Sequence, residues 1–241
     1  MKLLSTLAIA LSLNAQTMPA GANIPSTWRR GGAPANASGW TQLSSFTCAS
    51  AGSGADCTTS TVTGCSGANL IEIAMGMSGG THAVTDSQSN TYTHVGAADS
   101  GTTSFYYVIS PTVTGSMTFS SNTGGGSYPA IAGKCWQAPT TPAFDQGPAG
   151  TTVSGTSIQP ASITPSFNNE LIPTLAGGNF TSTPTINDSF TTPVVVIDVP
   201  GTNYAIALSD FIQATAAAIQ PTWSGLTPSG TLYASIISFK P

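Results

Sequence analysis

The sequence is nearly empty of charge. Five basic and nine acidic residues serve 241 positions, leaving a net charge of −4. Apart from Arg29-Arg30 there is no basic cluster, so the footprint needed to neutralise nucleic-acid phosphates is missing. Beyond the N-terminus no apolar run approaches the ~20 residues of a membrane span. No CxxC pair, G-x-S-x-G elbow, phosphate-binding loop or dinucleotide fingerprint occurs, which removes the usual sequence signs of zinc, acyl-transfer and nucleotide chemistry. A folded protein this poor in charge covers itself with Ser, Thr, Asn and Gly, the residues of turns and strand faces. That composition argues for an extracellular all-β module and against an enzyme built on ionisable groups. The 40% hydrophobic content is enough for a real core.

Lys2 precedes an apolar stretch from Leu3 to Leu13, followed by Asn14-Ala15-Gln16. One positive charge, a short apolar run and a small residue at the cut point predict a signal peptide over 1–15. A buried strand or a membrane anchor is the competing reading. Residues 16–40, rich in Pro, Gly and Ala and interrupted by Trp28 and Trp40, predict a flexible tether. The four cysteines, Cys48, Cys57, Cys65 and Cys135, fit an oxidising compartment. Three pairings are possible. Cys48 with Cys57 is favoured because the two flank the Gly/Ser-rich loop Ala49–Asp56 and would clamp a hairpin at its base. Cys65 and Cys135 would then close a long loop, stabilising by about 4 kcal/mol in the chain-entropy model. Free buried thiols are the alternative.

From residue 41 onward short β-type runs alternate with turn residues. The clearest are Asn69–Met77, Ser104–Ile109, Ala130–Trp136, Glu170–Leu175, Val194–Val199, Tyr204–Leu208 and Leu232–Phe239. No internal repeat is visible. The expectation is one antiparallel β-sandwich over 41–241, jelly-roll or Ig-like, with the last strand central and beside an early strand. Ala214–Ile219 has helix-favouring composition but stops at Pro221, and it reads as strand and turn.

Val84-Thr85-Asp86-Ser87-Gln88-Ser89-Asn90-Thr91-Tyr92 resembles the V-x-D-S-x-G-N-x-Y hairpin of a widespread group of secreted bacterial and phage-associated β-sandwich modules. Further resemblances follow in the same order: Phe105-Tyr106-Tyr107 to YYA, Tyr128–Ile131 to YPxI, and Pro142–Asp145 to PLD. Asn169–Ile172 then resembles NDLL, and Ile237–Lys240 resembles VAFK. Ser89 stands where the group has its turn glycine, and Gln137-Ala138-Pro139 replaces YSG. The resemblance spans roughly residues 42–240 and implies a sandwich used in surface and adhesive proteins, with no catalytic residues to carry over.

Asp86 and Asn90 suit a tight turn, their short side chains bonding nearby backbone; a Ca²⁺ loop is the rival. His82 and His94 lie symmetrically about this turn and would be cross-strand neighbours, so that with Asp86 they form a candidate metal site. Glu72 and Glu170, the only glutamates, could form the facing carboxylate pair of a glycosidase, roughly 5–10 Å apart. No E-x-D-x-x-E strand motif supports that, and solvent-facing strand positions are the ordinary account. Tyr106, Tyr107 and Trp223 are candidates for a sugar-stacking surface, because adjacent tyrosines on a regular strand must point to opposite faces. The functional expectation is a secreted, non-catalytic surface, adhesion or binding module with carbohydrate as ligand and no cofactor. A structural protein of a virion or filament, contacting copies of itself, is the alternative, and a glycan-active enzyme the third. No nucleic-acid partner is expected, nor stable membrane insertion once the signal is cut.

Overall fold

The computed structural model describes residues 39–50, 52, 54–79, 82–96, 103–124, 127–197 and 204–241. The expected signal peptide and the expected tether as far as residue 38 lie outside the described residues. The strands in chain order are β1 (Thr41–Ala49), β2 (Val62–Thr63), β3 (Leu70–Ser78), β4 (Val84–Asp86), β5 (Thr93–Gly96) and β6 (Thr103–Ile109). Next come β7 (Ser116–Met117), β8 (Phe119–Ser121), β9 (Ser127–Gln137), β10 (Ala143–Val153), β11 (Ser157–Ile158) and β12 (Glu170–Phe180). The chain continues with β13 (Thr185–Ile186), β14 (Val194–Ile197), β15 (Tyr204–Gln213), β16 (Trp223–Ser224) and β17 (Pro228–Lys240). Among the described residues there is no helix. The domain is an antiparallel β-sandwich.

Two five-stranded sheets form its centre, in the orders β1-β9-β3-β6-β5 and β10-β17-β12-β15-β14. The first is built wholly from the front half of the chain and the second wholly from the back half. Within each half the order is the same: first, last, second, fourth, third. The minor strands repeat as well. β2 and β4 pair with β7 and β8, while β11 and β13 both pair with β16. The topology is therefore duplicated, although no sequence repeat announces it. The terminal strand β17 is interior but one place in from the sheet edge rather than central, and its neighbours are β10 and β12 rather than an early strand.

Alternation along each strand sends one set of side chains between the sheets. Leu70, Ala74, Phe105, Ala132 and Trp136 from the first sheet meet Leu171, Leu175, Leu208, Ile237 and Phe239 from the second. The opposite faces are covered too. Ile71, Ile73, Met75 and Met77 pack under the β2, β4, β7 and β8 segments, with Phe46 stacked on Phe119 at 3.8 Å. Trp223 and Leu226 cover the outer face of the second sheet at Ala205, Ala207 and Ala234. Double coverage explains why β3 and β12 are apolar nearly throughout instead of alternating with polar residues. Each fully buried Leu, Ile or Met side chain contributes roughly 1.5–3 kcal/mol.

Both expected disulfides are present, Cys48–Cys57 and Cys65–Cys135. Cys48–Cys57 does not clamp a hairpin, however. Cys48 lies on β1, paired with β9, whereas the chain at Thr58 bridges Ser120 of β8. The bridge ties a main sheet to its covering layer. Trp40, assigned to the tether on composition, is completely buried, edge-on to Trp136 at 6.5 Å, and its Nε1 donates to the Asn169 carbonyl at 2.8 Å. Burial of so large a ring fixes the chain at Trp40 to the domain.

Candidate functional site

The aromatic platform expected from Tyr106, Tyr107 and Trp223 does not exist as a surface. Trp223 is fully buried, its Nε1 donating to Thr174 Oγ1 at 3.2 Å. Tyr106 is buried in the outer core of the first sheet. Tyr107 does point the other way, but that way is inward. Its ring stacks on Phe144 at 5.6 Å and meets Phe239 edge-on at 5.1 Å. The two tyrosines do point to opposite faces, but coverage of both sheet faces leaves neither as a free ring.

The expected metal group also comes apart. β4 pairs with β8 and β5 with β6, so the Asp86 turn is a corner between sheets and His82 and His94 are not cross-strand neighbours. His94 is exposed and stacks on Tyr106 at 4.9 Å. The carboxylate of Asp86 is fully engaged by the turn. Oδ1 accepts from the Gln88 and Asn90 backbone N–H groups at 2.8 and 3.2 Å, and Oδ2 accepts from Asn90 Nδ2 at 2.8 Å and Tyr92 Oη at 2.7 Å. Burial first, and then Asp86, raises the Tyr92 hydroxyl well above the usual tyrosine range, so it stays protonated and donating. Among the described residues no cluster of three or more His, Cys, Asp or Glu could hold a metal.

Glu72 and Glu170 are not solvent-facing; both are completely buried, in different sheets. A sugar chain cannot reach them as a facing pair. Glu170 opens β12, and its Oε1 accepts from the Phe167 N–H at 2.7 Å. Burial raises its carboxyl above the ordinary glutamate range, and the charge of Asp145 adds to this.

Glu72 belongs to the most unusual group in the molecule. Its strand position sends it between the sheets with Leu70 and Ala74. Its register partner on β9 is Lys134, which the same alternation also points inward, between Ala132 and Trp136. Across the core, β15 directs Asp210 inward with Leu208 and Ile212. Lys134 Nζ is in direct contact with Asp210 Oδ2, and the two side chains are 1% and 0% exposed. Nζ also approaches Thr191 Oγ1 at 3.4 Å, and Trp136 Nε1 donates to Glu72 Oε1 at 2.8 Å. Burial, then the neighbouring Asp210 carboxylate, holds the Glu72 carboxyl well above its usual range. Glu72 Oε2 and Asp210 Oδ1 are both buried without a hydrogen-bond partner among the described residues.

Reading the sequence did not single out Lys134 or Asp210 as a site. The signal was there: in a chain with so few charges, one lysine and one aspartate interrupt apolar strands.

On the surface, a groove of about 510 Å³ runs along the second half, lined by Thr151, Thr152, Ser157, Gln159, Gln220 and Thr222 together with Val153 and Ile158. It holds hydroxyls and amides but no charge and no aromatic ring. Among the described residues no helix is long and apolar enough to cross a membrane. Architecture and site together define a disulfide-stapled, all-β double-sheet domain with a buried lysine, aspartate and glutamate between its sheets. No family model matches the chain, no curated protein matches it, and no solved structure matches it.

Proposed function

We propose that the chain is a secreted, non-catalytic surface or adhesion module that binds an extracellular polysaccharide. The observation that carries this reading is the groove beside β11. Thr151, Thr152, Gln159, Gln220 and Thr222 offer hydrogen-bond donors and acceptors without formal charge, which complements the hydroxyl groups of a neutral sugar chain. The two disulfides and the signal-like N-terminus support an extracellular location. The resemblance to secreted surface modules points the same way. Retention on a panel of immobilised neutral polysaccharides tests it: binding to at least one is expected, with a several-fold loss in Gln220→Ala and Thr222→Val. Failure of every polysaccharide to retain the folded protein overturns this reading.

A second reading, a structural subunit contacting copies of itself, is favoured by the two short sheet edges β5 and β14. Each pairs on one side in unbroken register, and among the described residues no strand pairs with its other side. Light scattering showing polymers that disappear when residues 1–38 are removed supports that reading; a strictly monomeric full chain refutes it.

A further inference from the structure

We infer that Lys134 and Asp210 become joined by an amide bond between Nζ and Cγ, formed within the folded domain with Glu72 as the proton-transfer group. The inference is independent of polysaccharide binding and rests on how three side chains are placed.

The reacting atoms are already together. Lys134 on β9 and Asp210 on β15 approach from opposite sheets, touch, and are shut off from water. The same-face neighbours of Lys134, Ala132 and Trp136, and those of Asp210, Leu208 and Ile212, enclose them in apolar surface. In water an ammonium and a carboxylate do not condense, because the ions are better solvated than the neutral amine and acid. A dry interior reverses that preference. Fixed contact replaces a bimolecular encounter with an intramolecular one, at high effective concentration. A buried ion pair otherwise adds little to stability, so placing one of only five basic residues here calls for another explanation.

Glu72 supplies what the condensation needs. It sits directly opposite Lys134 in the β3–β9 register and beside Asp210. The two unpartnered oxygens, Glu72 Oε2 and Asp210 Oδ1, mark where a proton passes between carboxyls. The ammonium first gives one proton to the Asp210 carboxylate, leaving a neutral amine and a neutral acid. The Nζ lone pair attacks Cγ as Glu72 protonates the carboxyl oxygen, and the Glu72 carboxylate then takes a proton from Nζ. Glu72 returns this proton to the departing hydroxyl oxygen, the C–O bond breaks as water leaves, and the remaining hydroxyl hands its proton back to Glu72 as the amide carbonyl forms. The sum is ammonium plus carboxylate giving amide plus one water. Glu72 ends as it began, and no oxidant or reductant takes part.

The bond would fill a gap in the covalent framework. Both disulfides lie inside the first half of the duplicated fold, and among the described residues no cross-link joins the first sheet to the second.

Intact-mass spectrometry of the purified, denatured full chain is the test, with Lys134→Met from the same expression system as the reference for N-terminal processing. The wild type is expected one water lighter than its sequence requires. Proteolysis should yield a branched peptide joining the segments around Lys134 and Asp210. Glu72→Gln should show the full mass, with circular dichroism confirming the β-fold. Asp210→Asn should give the same branched peptide by losing ammonia instead of water. A folded wild-type chain at full mass overturns the inference whatever the variants do, and so does a water loss that maps to any other residue.

Discussion

Gly76 of β3 and Gly177 of β12 hold matching places in the two halves, each beneath the first residue of a strand from the opposite half. A Cβ on Gly76 would lie 2.8 Å from the Tyr204 ring, at the start of β15. A Cβ on Gly177 would lie 2.8 Å from Thr103 Cγ2, at the start of β6. Both distances are shorter than real Cβ contacts, so the sheets close upon each other because these positions lack side chains. Gly76→Ala and Gly177→Ala should each destabilise by about 1–3 kcal/mol through overpacking. Urea unfolding midpoints check this, and an unchanged midpoint in both variants refutes the close approach.

The two disulfides should differ in worth. Cys65–Cys135 spans 70 residues of chain and Cys48–Cys57 spans 9. In the loop-entropy account, removing the longer bridge costs about 4 kcal/mol and the shorter about 3 kcal/mol. Paired Cys→Ala variants measured by thermal unfolding should fall in that order. The reverse order would mean that the bond between β1 and the covering layer carries more native packing than the long closure.

Glu170 should make stability fall as pH rises. Its carboxyl sits above the ordinary 4.5 in the folded chain because burial disfavours the anion. The folded state therefore holds a proton that the unfolded state has released. This stabilisation is complete below the unfolded value and is lost as pH climbs from about 4.5 towards the raised folded value. Glu170→Gln can still accept from the Phe167 N–H but has no proton to lose. The stability of the variant relative to wild type should increase between pH 4 and pH 7 on this account. A constant difference across that range rules out a raised carboxyl at Glu170.

Ser89 lies at φ 58°, a left-handed conformation that glycine adopts without steric cost. It stands where the resembled group has glycine. Ser89→Gly should stabilise by about 0.5–1 kcal/mol, the relief of left-handed strain exceeding the entropy of the freer residue. Calorimetry would show a higher melting temperature, and a lower one would mean that the Ser89 side chain makes a contact worth more than the strain.

The strands buried on both faces were the legible ones. Ala130–Trp136, Leu232–Phe239 and the apolar run at β3 advertise themselves because burial demands apolar residues at nearly every position. Edge strands β1 and β10 did not. Thr41–Ala49 and Ala143–Val153 lie at sheet margins, where Ser, Thr, Asp, Gly and Pro are tolerated; β10 even contains Gly147-Pro148, and its register shifts nearby. The candidate site was hidden for a different reason. Sequence spacing cannot show that Lys134 and Asp210, 76 positions apart, face each other across a core. The aromatic candidates failed because composition gives no count of layers, and the covering strands β2, β7, β11, β13 and β16 are only two residues each.

The segregation of the two sheets by chain half has a consequence for how the molecule assembles. All five partners of the first sheet have been synthesised by Gln137, before any residue of β10 exists. The leading half can pair its strands while the trailing half is still on the ribosome. It must then hold a bare greasy face until the complement arrives. A neighbouring nascent chain presents an identical unfinished surface, so crowded synthesis favours exchange of halves between molecules.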